Sequence, residues 1–322
     1  MPAVTPRLVL LPPETVVPAV WSSPGRTAVF NPAILRDGDG WIAACRVVGP
    51  DAARRVALCR LDRSLEPIPG TAVPWSDHVD FGGSALSARA RTWFADPRLY
   101  RWRGRVFLQW NTGWHEPLNH QFLQEIDPHR LDPIGKVREL ALAAGSRRPL
   151  EKNWLFFGAG GDRLLYSPQP LCVHAADPAH PGRIGALLAR REWSASQSDA
   201  GTELRGGCPP VQVDGQWFAI GHTVAGAEGS YRYQPWVIRF GDQPDFALTG
   251  YPARPLPLPN PFGSERSAPK LNPAVGEVIY PCGADFRDGT WTISYGLNDE
   301  RAAICTLPHE AITACLAPAA AT

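Results

Sequence analysis

The sequence lacks long hydrophobic runs and lacks an excess of charge of either sign. No stretch approaches the roughly 20 apolar residues that a membrane-spanning helix needs. The N-terminal segment MPAVTPRLVLLPPETVVPAVW holds only the short run VLL between prolines, without the basic start and continuous apolar core of a signal peptide. Lys and Arg total 32 against 31 Asp and Glu, so no global field favours nucleic acid or an anionic membrane. We therefore expect a soluble, cytoplasmic protein with neither nucleic acid nor membrane as a partner.

Signatures of metal, disulfide and nucleotide sites are also missing. The seven cysteines are odd in number and include no CxxC pair, which argues against a zinc ribbon or a complete disulfide framework. No GxGxxG or P-loop signature occurs, and no group of His, Asp and Glu has convincing metal-ligand spacing. The sequence therefore predicts no metal and no organic cofactor.

Turn-forming residues and tryptophan are abundant instead. The 322 residues include 34 Pro, 30 Gly and 12 Trp, a composition typical of a turn-rich β protein rather than a disordered one. A chain of this length can bury a large core without disulfides.

Five segments share one strand–turn–strand plan. Each opens with polar or proline residues, runs through a short strand, turns at a Gly-containing link and returns in an aromatic or aliphatic strand. The segments are NPAILRDGDGWIAACRV from Asn31, DPRLYRWRGRVFLQWNT from Asp96, NWLFFGAGGDRLLYSPQ from Asn153, CPPVQVDGQWFAIGHT from Cys208 and CGADFRDGTWTISYGLND from Cys282. The predicted returning strands are Trp41–Arg46, Val106–Trp110, Leu164–Ser167, Trp217–His222 and Trp291–Tyr295. Asp-Gly and Gly-Asp links supply the positive φ that tight hairpins require.

This recurrence predicts an all-β protein, specifically a five-bladed β-propeller formed by one domain over residues 1–322. The spacing from one opening to the next leaves room for two outer strands and a loop in each unit, because compact blades need only about 40–50 residues. A β-sandwich or two stacked β domains are the alternatives, but neither predicts one hairpin five times with polar residues at the same end. We also expect a short C-terminal helix near 308–316 and a loop over Tyr251–Pro261.

In a propeller the opening residues of the inner strands converge, so polar residues at strand starts and ends are candidates for one site. These candidates are Asn31, Arg46, Asp96, Arg98, Lys152, Asn153, Arg205, His222, Tyr280, Tyr295 and Asp299. Carboxylates and amides for hydroxyls, aromatic rings for sugar faces and cations for phosphate are typical of carbohydrate sites. The expected partner is an oligosaccharide or glycoside, and a homo-oligomer stays open.

Each candidate taken alone also has a purely structural explanation. Asn31 and Asp96 precede prolines and could simply initiate turns. Arg46 and Arg98 could form ion pairs between blades, and His222 ends an apolar strand where a packed core histidine is common. Their shared position in the repeat is what favours a site.

The blade openings resemble glycoside hydrolase family 130 and its relatives. The resemblance covers roughly residues 28–300 and rests on the order and placement of short motifs. These are FNPAIL with ACRV, ADPRLY, EKNW, GGCPPV with QWFAIGH, and YPCGADF with ISYGLND. It implies a five-bladed propeller and an activity among inverting β-mannoside phosphorylases, related hydrolases and mannosyltransferases. A β-mannosyltransferase and a non-catalytic glycan-binding propeller are the alternative functions.

The resemblance also implies individual roles. Asp96 matches the catalytic acid of the second-blade motif. Substrate-binding positions of the family match Arg46, Arg98, Lys152, His222 and Asp299. Two departures are present: Ala95 replaces the usual glutamate before the aspartate, and Ser167 replaces a histidine that helps to hold phosphate.

Transfer to phosphate needs cations that hold the anion opposite the leaving group. Arg46, Arg98, Lys152 and Arg205 could form that clamp, because guanidinium groups match phosphate oxygens bidentately. Inorganic phosphate is then the co-substrate, whereas a transferase would use a sugar nucleotide or sugar phosphate as donor.

Transfer to water would need a second carboxylate as base, for which Glu203, Asp285 and Asp299 are available. As general acid, Asp96 is expected to have a pKa raised by burial, against the opposing effect of the adjacent arginine.

Overall fold

The computed structural model describes residues 7–82, 86, 88–113, 119–142, 151–177, 180, 183–193, 204–227, 229–265 and 270–318. Within them the protein is almost entirely β-structure. The helical segments are short: α1 (Pro13–Val16), α2 (Ala88–Thr92), α3 (His309–Thr313), and 3₁₀ turns at Ala19–Trp21 and Trp75–His78. The predicted C-terminal helix is present, but it covers only α3. No helix among these residues is long and apolar enough to cross a membrane.

The strands of the described residues form four hydrogen-bonded sheets. In chain order they are β1 (Arg7–Leu11), β2 (Ala28–Asp37), β3 (Gly40–Val48), β4 (Arg54–Leu61), β5 (Ala95–Trp102), β6 (Arg105–Asn111), β7 (Gln121–Ile126), β8 (Pro133–Glu139), β9 (Ala141–Leu142), β10 (Leu155–Phe157), β11 (Arg163–Pro168), β12 (Leu171–Ala176), β13 (Arg183–Arg191), β14 (Leu204–Gly206), β15 (Val211–Val213), β16 (Gln216–Ala225), β17 (Tyr231–Phe240), β18 (Leu248–Pro252), β19 (Val275–Arg287), β20 (Thr290–Leu297), β21 (Arg301–Pro308) and β22 (Leu316–Pro318). The predicted loop at 251–261 therefore begins only after Pro252, because Tyr251 and Pro252 belong to β18.

The sheets follow the chain. Strands β2 to β4 form one sheet, β5 to β8 a second, and β10 to β13 with β9 a third. The fourth has ten strands, because a short parallel pairing of β17 with β19 joins two groups that are otherwise antiparallel. The returning strands of the five predicted hairpins lie within β3, β6, β11, β16 and β20. The all-β class is confirmed, whereas four sheets rather than five leave the number of blades a prediction.

Three of the hairpin turns have both central residues in the left-handed region. They are Arg103-Gly104, Asp214-Gly215 and Asp288-Gly289, with φ values from 48° to 76°. Positive φ at both positions is the requirement of the tight turn whose twist matches that of the flanking strands. The Gly in each pair adopts it without steric cost.

Strands β2 and β5 each contain an extra residue near their start, and β19 contains one near its middle. On β2 the pairing passes from Phe30↔Arg46 to Ala33↔Ala44, and on β5 from Ala95↔Asn111 to Arg98↔Gln109. On β19 it passes from Pro281↔Tyr295 to Gly283↔Ser294. Such β-bulges re-aim side chains and are common beside functional sites. Asn31 and Asp96 therefore lie in bulges within strands and are not simple turn initiators.

Every second side chain along a strand points into the hydrophobic core. On β20 the side chains of Trp291, Ile293, Tyr295 and Leu297 all enter one hydrophobic cluster, as the two-residue period of a strand requires. The seven cysteines are buried and free. They occupy small spaces in the apolar interior, which suits a thiol that is not needed for chemistry.

Candidate functional site

A cavity of about 320 Å³ lies where the bulged starts of β2 and β5 meet β17, β19 and the turn after β20. It brings together residues that are far apart in the sequence. Six of the sequence candidates line it: Asn31, Arg46, Asp96, Lys152, Tyr280 and Asp299. The structure thus gathers more than half of the predicted set around one space.

Asp96 is held by one amide and one guanidinium group. The Asn31 side-chain amide donates a hydrogen bond from Nδ2 to Asp96 Oδ1 at 2.9 Å, and Arg46 Nη1 lies 3.5 Å from the same oxygen. Asn31 and Asp96 have φ values of 49° and 50°, a costly conformation for residues other than glycine that is typical of functional sites. The two bulges therefore aim these side chains at each other.

The electrostatic environment of Asp96 favours its ionised form. Burial alone would raise the pKa of this carboxyl, but Arg46, Lys152, Arg98 and the bond from Asn31 together lower it below its usual value. The expectation that burial raises the pKa of Asp96 is therefore wrong. The cations and the amide outweigh desolvation.

Asn31 is positioned by a close backbone approach. A Cβ atom at Gly296 would lie 1.9 Å from Asn31 Oδ1 and 3.0 Å from the backbone nitrogen of Asn31. Only glycine fits there, because real Cβ contacts do not come so near. Gly296 on β20 therefore supports the residue that bonds Asp96.

Asp299 lies in the turn after β20 with φ of 56°. Its Oδ2 atom accepts a hydrogen bond of 2.7 Å from the side-chain amide of Asn272. Burial raises the pKa of Asp299, with a further increase from Asp96, against the opposing effects of Arg46, Asn272 and Lys152. The cavity thus holds two carboxyls whose pKa values are shifted in opposite directions.

Sequence reasoning missed Asn272 because it belongs to no strand start. It lies on the segment between β18 and β19, where Leu271 to Ala274 form one wall of the cavity. An Asn-Pro pair in a proline-rich stretch is the only sequence signal for it, and that pair is equally typical of an ordinary turn.

Lys152 lines this cavity and also a second one of about 180 Å³. Arg205, Asn153, Ser167 and Glu151 line the second cavity as well. Burial lowers the pKa of Lys152, while Asp96 and Asp299 oppose that shift. Two of the four predicted clamp cations, Lys152 and Arg205, therefore line the smaller cavity. Arg46 lines the larger one, which shares Lys152 with it.

Arg98 lies behind the cavity wall, because its side chain is only 2% exposed. Its Nε donates to Gly207 O at 2.5 Å, its Nη1 to Pro97 O at 2.9 Å, and its Nη2 to Tyr280 Oη at 3.1 Å. The Tyr280 hydroxyl in turn donates to Asn153 Oδ1 at 2.7 Å. Within the described residues Arg98 lines neither cavity, and its contacts make it a support for Tyr280.

His222 is packed between two tyrosine rings. The ring centroids of Tyr233 and Tyr280 lie 5.2 Å and 4.6 Å from that of His222. Burial, together with Lys152, Arg205 and Arg98, holds the pKa of His222 well below its usual value, so the imidazole is neutral. Tyr233 also lines the larger cavity. The sequence did not indicate it, since β17 belongs to none of the five predicted hairpins.

Two further sequence candidates do not reach the cavity. Tyr295 is fully buried in the hydrophobic core and donates its hydroxyl to Pro259 O at 2.9 Å, so its predicted place at the site is corrected. Asp285 forms an ion pair with Arg36 at 2.8 Å and lines a different cavity. Glu203 lies outside the described residues. Of the two predicted second carboxylates that the structure describes, Asp299 is the one that lines the same cavity as Asp96.

The charges around the larger cavity are unequal. Three cations, Arg46, Arg54 and Lys152, line it with two carboxyls, Asp96 and Asp299. Groups of three or more potential metal ligands are not found among the described residues. The arrangement suits an anion next to a polar, uncharged substrate.

No family model matches the sequence, and the search of characterised proteins finds no similar sequence. The fold, in contrast, has clear relatives among solved structures. β-1,2-Mannobiose phosphorylase from Listeria innocua, in complex with β-1,2-mannobiose, superimposes with a TM-score of 0.61 at 13% identity, over 95% of this chain and 98% of that one. A glycosyl hydrolase from Bacteroides ovatus has a TM-score of 0.61 at 10% identity, over 92% and 87% of the two chains.

A third relative concerns hydrolases of a defined glycosidic linkage. It comes from a study of GH130 glycoside hydrolases that target β-1,2-mannosidic linkages in Candida mannan, and it has a TM-score of 0.59 at 11% identity over 92% of this chain and 87% of that one. At these identities the likeness shows the fold alone. The chain therefore has the fold of the mannoside phosphorylases and hydrolases that its strand openings resemble.

Proposed function

We propose that this protein is a carbohydrate-active enzyme that cleaves a β-mannoside-like glycosidic bond with inversion, transferring the sugar to phosphate or water. The five strand-turn-strand units act as the blades of a five-bladed propeller in this proposal. The observation that carries it is one cavity at the strand openings that holds both Asp96 and Asp299 beside three cations. Structural neighbours that are mannoside phosphorylases and hydrolases support the substrate class.

The two carboxyls fit the chemistry of inversion. Inverting cleavage needs an acid at the leaving oxygen and, for attack by water, a base on the opposite face of the sugar. Phosphate is already a nucleophile, so cations that hold it replace the base. Arg46 and Lys152 line the cavity for that purpose, and Arg205 lies in the adjoining space.

The first test is cleavage of β-1,2-mannobiose with and without inorganic phosphate. Phosphorolysis with inversion releases α-mannose 1-phosphate, which ³¹P NMR distinguishes from inorganic phosphate. Hydrolysis releases mannose without phosphate. We expect Asp96→Asn to lower turnover by about 10²–10⁴-fold, the usual contribution of a positioned acid or base. The control is Arg36→Gln, which removes a cation paired with Asp285 at a different cavity. Full turnover by Asp96→Asn would remove Asp96 from the reaction.

A non-catalytic glycan-binding protein is the second candidate, and one observation favours it. Ala95, which takes the place of the glutamate of the resembling family, is itself part of the cavity wall. Calorimetric binding of mannobiose without turnover of any β-mannoside, with or without phosphate, would support this function over the enzyme.

A further inference from the structure

The indole of Trp93 forms part of the wall of the larger cavity and is held there by Arg54. Trp93 follows α2 and pairs with the start of β4 through a parallel bridge to Arg54, and Phe94 N donates to Arg54 O at 3.4 Å. The Arg54 guanidinium also lies over the indole, with Cζ 4.0 Å from the ring centre. Because a cation is attracted to the face of an aromatic ring, this contact restrains the orientation of the indole.

A glycine after β6 makes room for the edge of the same indole. Gly113 has φ of 72°, and a Cβ atom there would lie 2.8 Å from Trp93 Nε1. The Gly113 N–H donates to Asn111 Oδ1 at 2.7 Å, which fixes the backbone at this point. Gly113 also lines the cavity. A side chain at this position would therefore displace Trp93 from its place in the wall.

The residues around Trp93 alternate between cavity and core. Trp93 and Ala95 line the cavity, whereas Phe94 enters the hydrophobic cluster that contains Trp75 and Trp110, as the two-residue period of an extended chain requires. Ala95 stands where the resembling family has a glutamate. Its methyl group leaves space beside the indole, so this chain presents an aromatic and apolar surface where that family presents a carboxylate.

This surface lies at the mouth of the cavity. Trp93 and Arg54 are partly exposed, whereas Asn31 and Tyr280, which line the same cavity, are buried. A cleaved sugar has to leave through the exposed side, so the sugar that departs first is the one nearer the mouth. The C–H groups of a sugar ring give it an apolar face, which an aromatic ring can cover without hydrogen bonds.

We infer that Trp93 determines specificity for the leaving sugar, whose ring packs against the indole, and that Arg54 and Gly113 are positioning residues for Trp93. This inference rests on the proposed function and names the part of the substrate that the mouth of the cavity recognises. Trp93 transfers no proton in the reaction. Its contribution is a contact with the leaving group, so the contribution should disappear when the leaving group is not a sugar.

Two substrates with the same glycone test this dependence. β-1,2-Mannobiose has a sugar as leaving group, whereas β-mannosyl fluoride releases fluoride, which a fluoride electrode measures. With phosphate present, we expect Trp93→Ala to lower kcat/KM for mannobiose by about 10–100-fold, as for removal of a large aromatic contact. For β-mannosyl fluoride the same variant should lose less than about 3-fold, because the contact concerns only the leaving group. Equal losses with both substrates, or no loss with mannobiose, would overturn the inference.

Conservative and control variants separate the contact from a general effect on folding. Trp93→Phe keeps an aromatic face and should stay within about 5-fold of the wild type for mannobiose. Arg54→Gln should lose about 2–5-fold with mannobiose only, the effect of one exposed contact between a cation and a ring. Trp21 is the matched control, since Arg55 Cζ lies 5.5 Å from its ring centre and Trp21 is not among the residues that line either described cavity of the site. Trp21→Ala should leave kcat/KM for both substrates unchanged.

A second measurement does not depend on turnover. In protein labelled with 5-fluorotryptophan, the ¹⁹F resonance missing from Trp93→Phe should shift on titration with β-1,2-mannobiose, and the one missing from Trp21→Phe should not. Cleavage of mannobiose without a shift of the Trp93 resonance would overturn the inference and leave the proposed function standing. A shift in a protein that cleaves no β-mannoside would contradict the proposed function and still support Trp93 as a sugar-binding surface. Neither cleavage nor a shift would contradict both.

Discussion

Replacing Arg46 with glutamine removes the guanidinium that contacts Asp96 at 3.5 Å, at the centre of the cavity. A matched control exists at Arg36, which pairs with Asp285 at 2.8 Å. Each arginine also lies over an aromatic ring, Arg46 at 4.9 Å from the ring centre of Phe30 and Arg36 at 4.1 Å from that of Trp41. Each substitution removes an ion pair and a contact with an aromatic ring. Arg36 additionally donates hydrogen bonds from Nε and Nη2 to Asp285 Oδ2, so the two pairs differ in hydrogen bonding as well as in burial.

Distance alone would predict that the loss of Arg36 costs more stability than the loss of Arg46, which is the opposite of what we expect. At a common effective dielectric constant of about 20, the attraction is about 5 kcal/mol at 3.5 Å and about 6 kcal/mol at 2.8 Å, which would make the Arg36 pair the stronger. Burial reverses this. The side chains of Arg46 and Asp96 are 15% and 11% exposed, whereas those of Arg36 and Asp285 are 29% and 32% exposed. Water can therefore solvate Asp285 after its partner is lost, but it can do so much less for Asp96.

We expect Arg46→Gln to lower the free energy of unfolding by about 3 kcal/mol, the lower end for removing one partner of a buried pair, because Asn31 and Lys152 still stabilise Asp96. Arg36→Gln should cost about 1 kcal/mol, as for an exposed pair. Urea unfolding followed by tryptophan fluorescence and circular dichroism measures both, and coincidence of the two signals tests the two-state assumption. A cost for Arg36→Gln equal to or above that of Arg46→Gln would refute the argument that burial, rather than distance, sets these energies.

Two further predictions concern the same site. Gly296→Ala should destabilise the fold by about 1–3 kcal/mol, the usual cost of overpacking, because its Cβ would lie 1.9 Å from Asn31 Oδ1. Thermal unfolding measures this cost. The control is Gly241→Ala, which should be nearly neutral because the nearest neighbour of its Cβ would lie at 3.8 Å. Equal melting temperatures for the two variants would contradict the close-approach argument. Asp299→Asn should stabilise the fold by about 1 kcal/mol near neutral pH, because a carboxyl with a raised folded pKa loses its stabilising contribution as pH rises through that pKa. Asp96→Asn should destabilise the fold at neutral pH, because a carboxyl with a lowered folded pKa contributes stability that disappears only as pH falls through that pKa. The measurement is the melting temperature of each variant and of the wild type across pH 3–8. Melting temperatures of the two variants that fail to diverge as pH rises would contradict both signs.

The repeat made the strand openings predictable, and with them the bulged residues Asn31 and Asp96. Both stand one residue before a proline at the start of an apolar strand, and the hairpin that follows fixes which end of the strand they occupy. The extra residue in β2 and β5 was not predictable, since a bulge depends on the register of the partner strand. That register appears only once Phe30 is seen opposite Arg46 and Ala33 opposite Ala44.

The error at Tyr295 has a simple physical origin. Tyr295 was chosen because it ends a predicted strand, as His222 does. The strand β20 continues to Leu297, however, and Trp291, Ile293 and Leu297 share the parity of Tyr295. Alternation along a strand sends all four side chains to the core, so the apolar character of the neighbours two residues away was the signal to use. Asp299 escapes this rule because it follows the strand, in the turn.

The pKa of Asp96 shows why a site cannot be assigned residue by residue from a resemblance. Burial and the neighbouring arginine were both foreseen, but their balance depends on how many cations face the same carboxyl. Three cations act on Asp96, and Asn31 adds a hydrogen bond, because two bulges and the segment before β10 bring their side chains together. Asp299 also accepts a hydrogen bond from an uncharged amide, that of Asn272, but the cations that act on it, Arg46 and Lys152, do not outweigh its burial. The same residue type thus has pKa values shifted in opposite directions at two positions of one cavity, because the fold sets the balance of burial and nearby charge at each carboxyl.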